Sequence, residues 1–242
     1  SAPISISSDT VLYLDFEEEE ASLRYRLAML AGGAEANKRP GVYYKRAETS
    51  VPHMADALAR QIAHEGITGL IVDSAGLACG TEPETADSAN AYFRALRGLR
   101  LGWSLTIAHQ PKAKEKDPLP FGSQFWYSNP RSIWRTQLSR AEGESQLSIG
   151  LWHKKANNGA LHDPLGFALH FYPGQATSID MIKPRSVADF RAHVSAREKV
   201  LGALEDAVGA LSYGELAEVT GIDAHSLRST VSRLGDRVEK VG

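Results

Sequence analysis

Two short apolar runs, Val11-Leu-Tyr-Leu-Asp15-Phe-Glu17 and Gly69-Leu-Ile-Val-Asp73-Ser74, each end in acid, and they constrain the fold more than anything else in the chain. Continuous aliphatic runs of this length read as strands covered on both faces, the mark of a parallel sheet. Their terminal carboxylates then fall at the carboxyl edge of that sheet, where open α/β folds bind nucleotides and other phosphate ligands. A phosphate-cradling G-x-x-x-x-G-K-[ST] loop should accompany such an edge. None occurs in the 242 residues.

The spacing of apolar residues supplies the rest of the α/β pattern. Leu23, Leu27 and Leu30 predict a buried helical stripe over Glu18 to Leu30, ended by Gly32-Gly33. A β-rich run, Gly41 to Lys45, leads to a second helix with the stripe Val51, Met54, Leu58 and Ile62, closed by Gly66. After the Gly69 strand come a helix from about Ala86 to Leu99 and a further buried strand, Trp103 to Ala108. Strands alternating with amphipathic helices imply right-handed βαβ units and a parallel sheet.

Beyond His109 the character changes. Gln110 to Phe121 alternates lysines with acids and holds three prolines, which suits a long surface loop and excludes a central strand. Ser132 to Leu138, Gln146 to His153, Leu165 to Phe171 and Thr177 to Met181 then read as largely antiparallel strands that extend the sheet. From Val187 onward the pattern is helical. Arg197 to Val208 is amphipathic, Ser212 caps Tyr213 to Thr220, Gly221 makes a turn, and Asp223 caps Ala224 to Leu234. This fits a helix-turn-helix or winged-helix module, with Asp236 to Val241 as the first strand of a wing. The expected division is therefore 1–184 for the α/β core and 185–242 for the helical module.

Composition excludes more than it selects. With 27 basic and 29 acidic residues the chain has no bulk attraction to nucleic acid, so any such contact needs a local basic cluster. A single cysteine, Cys79, excludes an internal disulfide framework and a multi-cysteine metal site, and suits a reducing compartment. No run approaches the roughly 18 apolar residues of a membrane span, and Ser1-Ala-Pro-Ile has no signal-peptide layout. A soluble, cytoplasmic protein is expected, and the lack of an initiator methionine suggests that residues upstream of Ser1 are not included.

Three strand ends carry candidate chemistry. Asp73 stands where a carboxylate can hold a magnesium-bound water, although many such aspartates only cap the next helix. Glu17 can polarise a water for attack on a terminal phosphate, and its four-glutamate run also suits a solvated first helical turn. His109, at the end of the third strand, can sense that phosphate ahead of the lysine loop.

These stretches, with Leu105-Thr-Ile-Ala-His109-Gln-Pro-Lys112, resemble the core motifs of RecA-like ATPases of the plasmid RepA-type hexameric helicase group. Gly122-Ser-Gln, Asn129-Pro-Arg131-Ser-Ile-Trp134 and His153-Lys-Lys-Ala-Asn157-Asn-Gly159 resemble further stretches of that group in the same order, so the likeness spans about residues 10 to 182. The resemblance implies a RecA-like α/β fold binding ATP and Mg²⁺, with Glu17 as the catalytic carboxylate, Asp73 as the Walker B metal ligand and His109 as the phosphate sensor. Arg131, Lys154 and Lys155 match places that supply a positive finger to a neighbouring subunit's nucleotide, where a cation neutralises charge on the transferred phosphoryl group. Arg24, Arg26 and Ser74 are candidates to face nucleotide.

Lys112, Lys114 and Lys116 suit a strand-tracking contact on single-stranded nucleic acid, and Phe125, Trp126 and Tyr127 suit either base stacking or a core. Arg228 and Arg233 on the last helix, with His225, Ser226 and Ser229, suit groove contact, though two arginines are few. The expected whole is a ring-forming homo-oligomer, most simply a hexamer, acting on single-stranded DNA or another nucleic acid in phage or plasmid replication or recombination. The missing phosphate loop fits a fragment of a longer ATPase. The alternative is a non-hydrolysing DNA-binding or regulatory oligomer that keeps the fold as a scaffold.

Overall fold

The structure, a computed structural model, describes residues 10–31, 41–110, 123–172 and 176–239. The chain divides into two compact units. One comprises Ser1–Ile133, Lys154–Leu161 and Tyr172–Thr177, and the other Trp134–His153, His162–Phe171 and Ser178–Gly242.

The first half of the chain alternates as its periodicity predicts: β1 (Thr10–Asp15), α1 (Glu20–Ala31), β2 (Gly41–Arg46), α2 (Val51–Glu65), β3 (Gly69–Asp73), a short α3 (Ala75–Ala78), α4 (Ala86–Gly98) and β4 (Trp103–Ile107). The four strands form one parallel sheet in the order β2-β1-β3-β4. The chain leaves β1 toward β2 and leaves β3 toward β4, so the direction of winding reverses between β1 and β3. Asp15 and Asp73 are register partners at the carboxyl end of that pair. This is the topological switch point at which open α/β sheets open a ligand crevice.

Burial fixes the register. Leu12 and Leu14 of β1 and Leu70 and Val72 of β3 are fully buried, packed with Val51, Leu58 and Ile62 of α2 and Ala89, Tyr92 and Phe93 of α4. Each such aliphatic side chain contributes about 1.5–3 kcal/mol when taken from water. Helix α2 stops at Gly66, whose φ of 64° is left-handed and lets its N–H reach the carbonyl of Ile62. Gly69 is required for a different reason. A Cβ there would lie 2.2 Å from the Trp103 ring, which crosses over it from the neighbouring strand. Cys79, 3% exposed, closes α3 with its Sγ donating to the carbonyls of Gly76 and Thr81.

Two expectations about burial fail. Strand β4 is an edge strand, not a covered one: among the described residues it pairs only with β3, and Leu105 and Ile107 are 53% and 40% exposed. Helix α1 buries Leu23 alone of its expected stripe, leaving Leu27 and Leu30 exposed, because the described residues put no second layer over that face.

The second sheet holds β5 (Ser132–Ser139), β6 (Gln146–Ala156), β7 (Leu165–His170) and β8 (Ser178–Ile182) in sequence order, with β6, β7 and β8 paired antiparallel. Its strands were expected to extend the parallel sheet. They form a sheet of their own instead, because short connections let each strand satisfy the next one's ladder.

Three helices close the described chain: α6 (Ala196–Asp206), α7 (Tyr213–Thr220) and α8 (Ala224–Leu234). Ser195 with Glu198 and Ser212 with Glu215 form reciprocal capping boxes, and Asp223 accepts the N–H groups of His225 and Ser226. Val200, Leu216, Leu227, Val231 and Leu234 make their core. The turn at Gly221, φ 65°, joins α7 to α8 as the sequence predicts. The expected wing strand does not form among the described residues. Gly235–Arg237 is a 3-10 turn, Arg237 pairs with Asp163, and Val238 packs against the helical core. Among the described residues no helix is long and apolar enough to cross a membrane.

Candidate functional site

The turn after β1 is built around one buried carboxylate. Asp15, 1% exposed, accepts the N–H groups of Glu17 and Glu18 on Oδ1, both at 2.9 Å, and the hydroxyl of Tyr44 on Oδ2 at 3.3 Å. Satisfying two backbone donors with a side chain turns the chain sharply out of the strand. Glu17 is thereby carried to the carboxyl edge of the sheet.

There it meets groups from two further strands. The hydroxyl of Ser74, just past β3, donates to Glu17 Oε1. Nε2 of His109, just past β4, lies 3.0 Å from the same oxygen and donates to it when Glu17 is ionised. Both partners converge on Oε1, so among the described residues Oε2 keeps its lone pairs open. The Ser74 hydroxyl, and then the His109 ring, hold the Glu17 carboxyl below the usual glutamate value of 4.5. Glu17 is therefore an anion at neutral pH with one oxygen fixed and the other available.

Asp73 stands beside this group. Its Oδ2 accepts the hydroxyl of Tyr13 at 2.5 Å, and among the described residues Oδ1 accepts nothing. Burial, and then that bond to Asp73, push the Tyr13 phenol up, so it stays a donor. The Asp73–Ser74 peptide bond is cis. Sequence reasoning singled out Asp73 and gave Asp15 no role, but it missed Tyr13 and Tyr44. The available signal was period-two alternation: Tyr13 lies two residues before Asp15 on the same face of an otherwise aliphatic strand.

The donors fit a hydrated Mg²⁺ in part. No group of three or more His, Cys, Asp or Glu side chains able to hold a metal occurs among the described residues. A single aspartate with one open oxygen is what Mg²⁺ needs when most of its shell is water and phosphate. Glu17 and His109 likewise suit the terminal-phosphate end of ATP. The backbone cradle for the other phosphates has no counterpart among the described residues.

Arg24 pairs with Glu20 and Arg26 with Glu18, both on exposed surface. Lys155 is committed elsewhere: its Nζ donates to the carbonyls of Tyr127, Ser128 and Pro130 at 2.7 to 2.8 Å, bracing the end of helix α5 (Phe125–Ser128). Arg131 is exposed just before β5, and Lys154 is half-buried in β6. Of the expected stacking aromatics, Trp126 is core, wedged against Tyr92 and Phe93 with its Nε1 bonded to the Pro83 carbonyl. Arg228 and Arg233 are exposed on α8. Lys112, Lys114 and Lys116 lie outside the described residues.

No known protein family matches the chain, and no curated protein matches it. A solved structure does resemble it, that of a KaiC-like protein from the hyperthermophilic archaeon Pyrococcus horikoshii. The two are 13% identical with a TM-score of 0.50, over 72% of this chain and 76% of that one. At that identity the likeness is one of fold. What the two share is a parallel sheet flanked by helices.

Proposed function

We propose that this chain is the catalytic core of a nucleic-acid-dependent ATP hydrolase that works as a ring-shaped homo-oligomer of replicative-helicase or recombination type. The observation that carries the reading is the convergence of Ser74 and His109 on one oxygen of Glu17, beside the half-open carboxylate of Asp73. Glu17 Oε2 accepts a proton from the attacking water, and the fixed Oε1 keeps it aimed. Asp73 would hold a hydrated Mg²⁺, whose positive charge would be set against the phosphates. His109 links Glu17 to the stretch that begins at Gln110 and carries Lys112, Lys114 and Lys116, so a change in the Glu17–His109 bond on hydrolysis is felt where nucleic acid is expected to bind. Lys155 is the poorer candidate for a cation donated to a neighbouring subunit, because its ammonium is already enclosed by three carbonyls.

The second reading is a non-hydrolysing DNA-binding scaffold that keeps the same sheet. Phosphate release from ATP with Mg²⁺, with and without single-stranded DNA, separates the two when measured on protein made from the whole reading frame. Turnover that rises with DNA and disappears in Glu17→Gln supports the hydrolase. DNA binding without turnover overturns it.

A further inference from the structure

Away from the sheet edge, the second unit carries a set of parallel aromatic rings that the phosphate chemistry does not use. Trp134 of β5 and His153 of β6 stack face to face, with centroids 4.4 Å apart and planes within 3°. His162 lies parallel to both, 5.3 Å from His153 and 6.0 Å from Trp134. The arrangement is held by a backbone bond, the N–H of His162 donating to Nδ1 of His153 at 3.0 Å. His153 is buried at the centre, yet Trp134 remains 37% exposed and His162 is exposed.

Two arginines gather on one carboxylate next in the chain to these rings. Asp163, next in the chain to His162, is approached by Arg237 at 3.3 Å and by Arg197 at 3.8 Å. Two half-exposed guanidinium groups share this one carboxylate, so both keep N–H donors facing solvent. A brace for the turn would explain the buried imidazole, but it needs neither the exposed indole nor the second arginine.

We infer that Trp134 and His162 form a stacking platform for bases of single-stranded nucleic acid, with Arg197 and Arg237 taking the adjacent phosphates. Every base has a π-face that an indole or imidazole accepts without regard to sequence, and guanidinium groups follow the backbone. The inference gives the nucleic-acid partner of the reading above a site of its own, and it does not depend on ATP turnover.

The probe is a fluorescein-labelled twelve-nucleotide oligothymidylate, titrated at low salt with no nucleotide present and followed by anisotropy. His162→Ala weakens binding about tenfold. Arg237→Ala also weakens it and lowers the salt dependence by close to one phosphate contact. Unlabelled oligothymidylate quenches the protein's tryptophan emission, and Trp134→Leu removes most of that quench. Should Trp134→Leu lose its fold by circular dichroism, the quench in the parent and the exposed His162→Ala variant decide. The inference is overturned if the oligonucleotide does not bind, if His162→Ala binds as the parent does, or if thymidine monophosphate competes as well, mole for mole, as the strand. Loss of ATP turnover with these results intact counts against the hydrolase alone.

Discussion

Asp15 and Asp73 are register partners on neighbouring parallel strands, and their carboxylates are used in opposite ways. Asp15 is enclosed, both oxygens accepting hydrogen bonds from its own turn and from Tyr44. Asp73 gives one oxygen to Tyr13 and keeps the other open among the described residues. Identity and position along the strand are the same, so what separates an enclosed aspartate from one with an open oxygen is which donors reach it.

Asp15→Ala should therefore act at a distance on Glu17. It removes the acceptor from two backbone N–H groups in the turn after β1, at a cost of about 2 kcal/mol, and releases the residue they hold in place. Urea unfolding should show the lowered midpoint, with ATP turnover falling alongside it. Asp15→Asn, which keeps one acceptor oxygen, should recover much of the stability.

Glu17→Gln should leave the fold and nucleotide affinity intact and lower turnover by about 10²–10⁴, the usual contribution of a positioned general base. Single-turnover measurements separate this from slow product release. A variant that hydrolyses ATP at the parent's rate would remove Glu17 from the mechanism.

The pH dependence of the same residue has a definite sign. The folded state holds Glu17 below its ordinary value, so it favours the anion. The associated stability is fully present above the ordinary glutamate pKa of about 4.3 and is lost as pH falls through the lower, folded value. Ser74→Ala removes the larger cause, so the Glu17 titration, followed by carboxyl carbon NMR, should move up toward 4.5. His109→Ala should move it the same way by less.

In the helical trio, Leu227 is fully buried between α6 and α7. Leu227→Ala should cost about 2–5 kcal/mol, with the spread set by how far the helices can close the cavity. The loss should appear as an earlier transition in helical circular dichroism. Val219→Ala, exposed on α7, should leave that transition in place.

Much of this was legible because its causes are local. Ser212, Glu215, Gly221 and Asp223 mark helix ends through bonds that span only a few residues, and those ends fall where the spacing puts them. Glu17, Ser74 and His109 were also placed correctly at strand ends. Their meeting on a single oxygen was not readable, because it depends on the order in which three strands are laid side by side. The same limit hid the bond from Tyr13 to Asp73, which joins residues 60 apart in sequence. It also misjudged β4: a run of apolar residues reports that a strand prefers cover, not whether another element arrives to provide it.

Cys79 gives the protein a clock. Its sulfur is the only thiol in the chain and is buried at the end of the short helix that starts just after Ser74. A thiol reagent can reach it only when that segment lifts, so the modification rate counts openings of the backbone that carries the Ser74 hydroxyl. Slower modification when ligand is added would report that the strand edge has been clamped, without a turnover event.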